Sequence, residues 1–185
     1  MDIDSVFPEI RTIEDGTLRA NVASAWKNAA DENDIAIEDL RTVPWFPPAQ
    51  RSLGLEADEA TLVGHVRDVT ACAVGLVDSL AGRRTALDID LDVVVAGALV
   101  HDVSKLYEFD GMESTEIDDL LGHPYFGVAV AANAGLPAEI LHIVLSHSHR
   151  TAVEPATLEA EIVRRADEVA AAEIRAAVVE DLREL

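Results

Sequence analysis

The chain has 185 residues and a mass of 19.9 kDa, and its 35 acidic against 14 basic side chains give a formal charge of -21. That balance excludes a nucleic-acid binder held by basic phosphate contacts. At 49% hydrophobic and 26% charged residues the composition is globular, not disordered, and a chain this long can bury a substantial core. Only two lysines, Lys27 and Lys105, stand beside twelve arginines. This acidic, lysine-poor, alanine-rich profile points to a halophilic protein, because a Debye length of roughly 3 Å at 1 M salt screens acidic repulsion; an acidic mesophilic protein is the alternative. Cys72 is the sole cysteine, so no internal disulfide forms, as expected in a reduced cytoplasm. The N-terminus MDIDSVFPEI lacks the basic segment and apolar run of a signal peptide, and no stretch is apolar enough to span a bilayer.

Apolar spacing predicts a first helix over Thr17 to Ala30, with Leu18, Val22, Ala25 and Ala29 on one face. Residues 43–54, VPWFPPAQRSLG, carry three of the seven prolines and cannot be regular helix throughout. This stretch is the candidate boundary between an N-terminal helical extension, residues 1–57, and the main body, residues 58–185. From Asp58 to Leu80 the positions Leu62, Val66, Val69, Ala73, Leu76 and Leu80 step by three or four, as an amphipathic helix requires. The next helix should run from about Asp90 to Leu106, since the apolar pattern of VVVAGALV continues beyond strand length. His123-Pro124 makes a helix start and Gly135 a stop; Pro137 opens a further helix to about His147. A last long helix spans roughly Thr157 to Leu182, so the fold class is all-α.

Among the six histidines, His65 lies on the apolar stripe of its helix, where a single histidine reads as a packed core residue. His101 and Asp102 end an apolar run, where a buried charge needs a partner or a metal. Lys105 stands one turn from His101 on the same face. Asp167 sits among Val163, Ala170, Ala171 and Ile174, small residues that let other helices approach an acid. Two histidines and two aspartates on inward faces of three helices make a nitrogen and oxygen ligand set for a divalent transition metal.

In order and helical placement, His65, the doublet His101-Asp102 and Asp167 resemble the HD superfamily of metal-dependent phosphohydrolases. GALVHDVSKL resembles the family's segment HD-x-G-K, with Ser104 in place of the glycine, and EIVRRADEVAA resembles its closing helix. The resemblance covers roughly Thr61 to Ala172 and implies an HD-type helical bundle carrying an N-terminal extension. It implies that His65, His101, Asp102 and Asp167 hold a first divalent metal, of the class Mn, Mg, Fe, Co or Ni. His123 in GHPYFG and His147 resemble the stations of the two-metal subset, with Asp102 bridging. In that subset a second histidine directly follows the one matched by His147; here Ser148 intervenes and His149 comes next. Residues two apart on a helix differ by about 200°, so His147 is assigned to the site, and His149 to the surface or a substrate contact. His142 is assigned to packing or to support of a ligand, and Asp68 either to hydrogen bonding behind His65 or to solvent.

The resemblance further implies a reaction in which Asp102 holds the metals that activate water and Lys105 supplies charge to a developing phosphoryl anion. The expected substrate is a small anionic phosphate ester, a nucleotide or cyclic nucleotide, and neither nucleic acid nor membrane is an expected partner. A di-iron oxygenase of the same superfamily and a catalytically silent metal-binding regulatory module are the alternatives. Arg67, Arg150, Arg164 and Arg165 are each either phosphate contacts or solvated surface residues. Trp45 and Phe46 read as the apolar plug fixing the extension to the body, with a pocket wall as the alternative. Nothing in the pattern specifies an oligomeric state.

Overall fold

A computed structural model describes residues 2–83 and 88–184. Two short 3-10 turns, Ile3–Ser5 and Pro8–Thr12, precede α1 (Gly16–Glu32), which Asp15 starts by accepting hydrogen bonds from the Thr17 and Leu18 amides. Leu18, Val22, Ala25 and Ala29 form its buried face, as the spacing predicts. The proline-rich stretch is part helix: α2 (Pro47–Leu53) places its prolines in the first turn, where no amide hydrogen is needed, and stops at left-handed Gly54 with φ 70°.

Next comes α3 (Leu62–Ala81), capped by the Thr61 hydroxyl, which accepts from the Gly64 amide. Leu76 departs from the expected stripe and is exposed, while Val77 beside it takes the inward place. The VVVAGALV segment forms α4 (Leu91–Val100), with Asp90 capping its start at the Val93 amide. Seven of its ten residues are buried because α1, α3, α8 (Ala138–Ser146) and α9 (Leu158–Ala176) surround it, which is why its sequence shows no amphipathic period.

That helix ends at Val100, not at Leu106 as the apolar pattern suggests. Its terminal carbonyls find partners that do not continue the helix: His101 Nδ1 lies 2.7 Å from Ala98 O, and Trp26 Nε1 donates to Leu99 O at 2.8 Å. After a turn the chain re-enters helix as α5 (Lys105–Glu108) and then makes a hairpin absent from the all-α expectation, β1 (Phe109–Asp110) against β2 (Glu113–Ser114), turned by Gly111 at φ 58°. Then follow α6 (Glu116–Leu120) and α7 (His123–Asn133), with Gly135 left-handed after it. The last long helix, α9, stops at Ala176, short of the expected Leu182. Residues of the N-terminal segment, Phe7 and Trp26 among them, belong to the same buried cluster as Val66, Leu99 and Val163.

Two glycines set how closely the helices approach. A Cβ on Gly97 would lie 2.5 Å from Ile143 Cδ1, and one on Gly127 would lie 2.7 Å from Val144 Cγ1. Both point at α8, which therefore lies against α4 and α7 more tightly than alanine would allow.

Candidate metal centre

Each candidate ligand sits where a helix begins, ends or turns inward. His65 is on the buried face of α3, His101 follows the last residue of α4, His123 opens α7 and His147 follows the last residue of α8. The two histidines at helix ends are oriented by one device. His147 Nδ1 lies 2.8 Å from Val144 O, just as His101 Nδ1 meets Ala98 O, each bonding the carbonyl three residues back. A neutral imidazole that donates from Nδ1 carries its lone pair on Nε2, and Nε2 faces the centre in both.

Asp102, with its side chain 2% exposed, stands between two groups of imidazoles. Its Oδ2 lies 3.5 Å from His65 Nε2 and 3.3 Å from His101 Nε2; its Oδ1 lies 3.5 Å from His123 Nε2 and 3.6 Å from His147 Nε2. Asp167 Oδ1 is 3.0 Å from His65 Nε2 and 3.8 Å from His101 Nε2. Five of the six candidate ligands therefore fall in two groups that share the Asp102 carboxylate, and Asp167 adjoins the group of His65 and His101. Lys105 Nζ reaches Asp102 Oδ2 at 2.6 Å although the helix breaks between them.

Both Asp102 oxygens, His65 Nε2 and His101 Nε2 are buried and make no well-aligned hydrogen bond within the protein, although Lys105 Nζ pairs with Asp102 Oδ2 and Asp167 Oδ1 approaches His65 Nε2. A buried polar atom without a hydrogen-bond partner costs on the order of 1–3 kcal/mol, and Lys105 and Asp167 offset only part of that here, so a ligand that takes up these atoms is stabilising. Nitrogen and carboxylate donors in this number suit a divalent cation, so the residues present fit one. Burial opposes ionisation of Asp102, but Lys105 and His101 outweigh it and hold its pKa well below the usual carboxylate range. Asp167 is likewise depressed, burial being outweighed by its hydrogen bond to His65. Burial lowers His65 and, more strongly, His123, favouring the neutral rings that ligate metals. His101 is raised despite its burial, because Asp102 and Asp167 make its surroundings negative enough to hold a cation.

Glu108 carries no signal in the sequence that marks it out, yet it is fully buried with Oε2 3.1 Å from His123 Nδ1 and Oε1 3.6 Å from Arg150 Nη1. It does for His123 what backbone carbonyls do for His101 and His147. Burial raises its pKa to about 7, against the lowering pull of Arg150 and Lys105. His149 points away, exposed, with Nε2 2.9 Å from Glu168 and Nδ1 2.7 Å from Arg164. Ser146 ends α8 before either histidine, so the 200° argument for a continuous helix does not decide between them; the Val144 carbonyl and Glu168 do. His142 Nε2 accepts from the Ala156 amide at 2.8 Å and pins a loop, and Asp68 is exposed on the outside of α3. Arg67 pairs with Glu9, Arg164 with Glu154, and Arg165 with Glu161 and Glu168, whereas Arg150 lines the cavity over the centre.

That cavity, about 230 Å³, is walled by Trp45 and Phe46. The two rings both plug and line: Trp45 is buried with its ring 5.1 Å from that of His65, and Lys105 Nζ lies 5.5 Å and 5.1 Å from the Trp45 and Phe46 ring centres. The HD domain family model matches residues 62–172, which contain every candidate ligand. This chain belongs to the HD domain family. The HD chain is also 32% identical over 115 residues to a dihydroneopterin 2',3'-cyclic phosphate phosphodiesterase of Methanocaldococcus jannaschii. The alignment covers 60% of this chain and 46% of that protein, so it spans about half the relative's length. No solved structure matches the chain significantly.

Proposed function

We propose that this HD protein is a metal-dependent phosphohydrolase acting on a small phosphate ester of the nucleotide or cyclic-nucleotide kind. The observation that carries the reading is the position of Asp102, whose two buried oxygens face separate histidine groups, Oδ2 toward His65 and His101 and Oδ1 toward His123 and His147. His65, His101, Asp102 and Asp167 would hold one divalent cation, and Asp102, His123 and His147 a second. Cations bound there would acidify a water and neutralise phosphate oxygens.

The remaining tasks fall to the chain's own residues. Lys105, buried and seated against two aromatic rings, presents a fixed ammonium toward the phosphoryl group as negative charge develops. Trp45 and Phe46 narrow the access of bulk water. Hydrolysis forms one P–O bond from water and breaks the P–O bond to the alcohol, whose oxygen takes up a proton. The similarity to a cyclic phosphate phosphodiesterase supports the hydrolase over the oxygenase and the silent module.

The test is turnover by metal-stripped protein reloaded with Mn, Co, Ni, Fe or Mg and offered p-nitrophenyl esters, nucleoside monophosphates, and 2',3'- and 3',5'-cyclic nucleotides. Metal-dependent release of product is expected with at least one class. Asp102→Ala should lower that rate by more than the roughly 10- to 100-fold typical of residues that only support a ligand. Absence of turnover with every metal and ester class overturns the reading.

A further inference from the structure

The cavity over the metal centre contains three cationic side chains, and the protein neutralises two of them. Lys105 is 2.6 Å from Asp102, and Arg150 is 2.9 Å from Asp118 and 3.6 Å from Glu108. Arg175 lines the same cavity half-buried, and among the described residues its guanidinium makes neither an ion pair nor a hydrogen bond. In a chain where acids outnumber bases 35 to 14, a guanidinium without a carboxylate is not what composition supplies.

Its position along the cavity is set by α9. Asp167, Ala171 and Arg175 stand on successive turns and all three line the cavity, which puts the Arg175 backbone about 12 Å along the helix from Asp167. Ala171, with a single methyl, leaves the space between them open. Phe46 also lines the cavity, its ring half-buried and 5.8 Å from the Arg150 guanidinium. Both Phe46 and Arg175 lie outside residues 62–172, so these parts of the wall are not the stretch common to the family.

We propose that Arg175 receives a second anionic group of the substrate, so that the site selects compact organic phosphates bearing two separated negative groups over simple monoesters. The position of the first phosphate rests on the phosphohydrolase reading. A guanidinium offers paired N–H donors that match a phosphate or carboxylate, and one with no partner inside the protein gives up no ion pair to bind. The cavity is smaller than the roughly 300–1,000 Å³ of sites for drug-sized ligands, which limits the organic part between the two anions. A competing explanation is that Arg175, in the last turn of α9, merely complements the helix dipole.

The two explanations separate by calorimetric binding to the manganese-loaded protein. Adenosine 3',5'-bisphosphate should bind wild type roughly 10- to 100-fold more tightly than adenosine 5'-monophosphate, the range for a charge-assisted hydrogen-bonded contact. R175Q should erase that preference with metal content and folding unchanged, and R175K should keep part of it. Equal affinities in wild type, no binding of either compound, or a preference surviving in R175Q overturns the proposal; lowered thermal stability of R175Q with affinities intact assigns the residue to the helix end. None of these readouts requires turnover, so a protein that shows the preference yet releases no product refutes the phosphohydrolase reading alone.

Discussion

Four imidazoles around one carboxylate would be a costly arrangement if each ring were free to turn, and hydrogen bonds at Nδ1 stop most of them. Three of the four are held in this way: His101 and His147 bond the carbonyls of Ala98 and Val144, and His123 bonds Glu108, whereas His65 Nδ1 has no hydrogen-bond partner among the described residues and its ring is held by packing against Trp45. A carbonyl can only accept, so it fixes the tautomer outright, whereas a carboxylate can be removed by mutation. Glu108→Ala should therefore weaken the cation site of Asp102, His123 and His147 by roughly 10- to 100-fold, and leave that of His65, His101 and Asp167 near its wild-type affinity. Metal titration with stoichiometry followed by atomic emission distinguishes the two sites; equal weakening of both would show that Glu108 supports the fold instead. The candidate ligands were legible in the sequence because each is a histidine, or an aspartate in an apolar setting. Glu108 was not, because a glutamate among 35 acidic residues carries no mark until the fold buries it 15 positions from its histidine.

The metal centre depends on elements that stop in the right places. Had α4 continued to Leu106, as its apolar pattern suggests, the Ala98 and Leu99 carbonyls would be engaged within the helix and unable to orient His101 or accept from Trp26. The close seating of α8 on α4 matters in the same way, since His147 and His101 follow the ends of those two helices with rings 4.9 Å apart. Gly97→Ala places a methyl against Ile143, a branched side chain with no space to retreat into a core this dense. The expected cost is about 1–3 kcal/mol, read as a lower denaturant midpoint with unchanged slope. A variant as stable as wild type would mean that α4 and α8 are less closely packed than described.

For the molecule as a whole, the charge of -21 opposes both folding and the approach of an anionic substrate. Lys105, Arg150 and Arg175 gather around the cavity and offset the acidity where the proposed phosphate substrate would enter. Elsewhere, exposed pairs such as Arg11 with Asp4 and Arg183 with Asp181 contribute little and weaken with salt. Repulsion among 35 acids weakens as well, and with a charge ratio this unequal its relief dominates. The thermal midpoint should therefore rise between 0.1 M and 2 M KCl, as the Debye length falls from about 10 Å to below about 3 Å. A midpoint that falls over this range would count against halophilic adaptation without touching the metal site.

The helical class, the order of the candidate ligands and the family resemblance were all present in the sequence, because helical periodicity and histidines or acids in apolar runs are local signals. The sequence also determined the acidity that any substrate must overcome. Only the tertiary structure decided where α4 ends, that His147 faces inward while His149 pairs with Glu168, and that Glu108 holds His123. It alone brought Phe46 and Arg175 to one cavity from opposite ends of the chain. These outcomes turn on partners remote in sequence, as Trp26 and Leu99 are by 73 residues, and no pattern within a single helix encodes them.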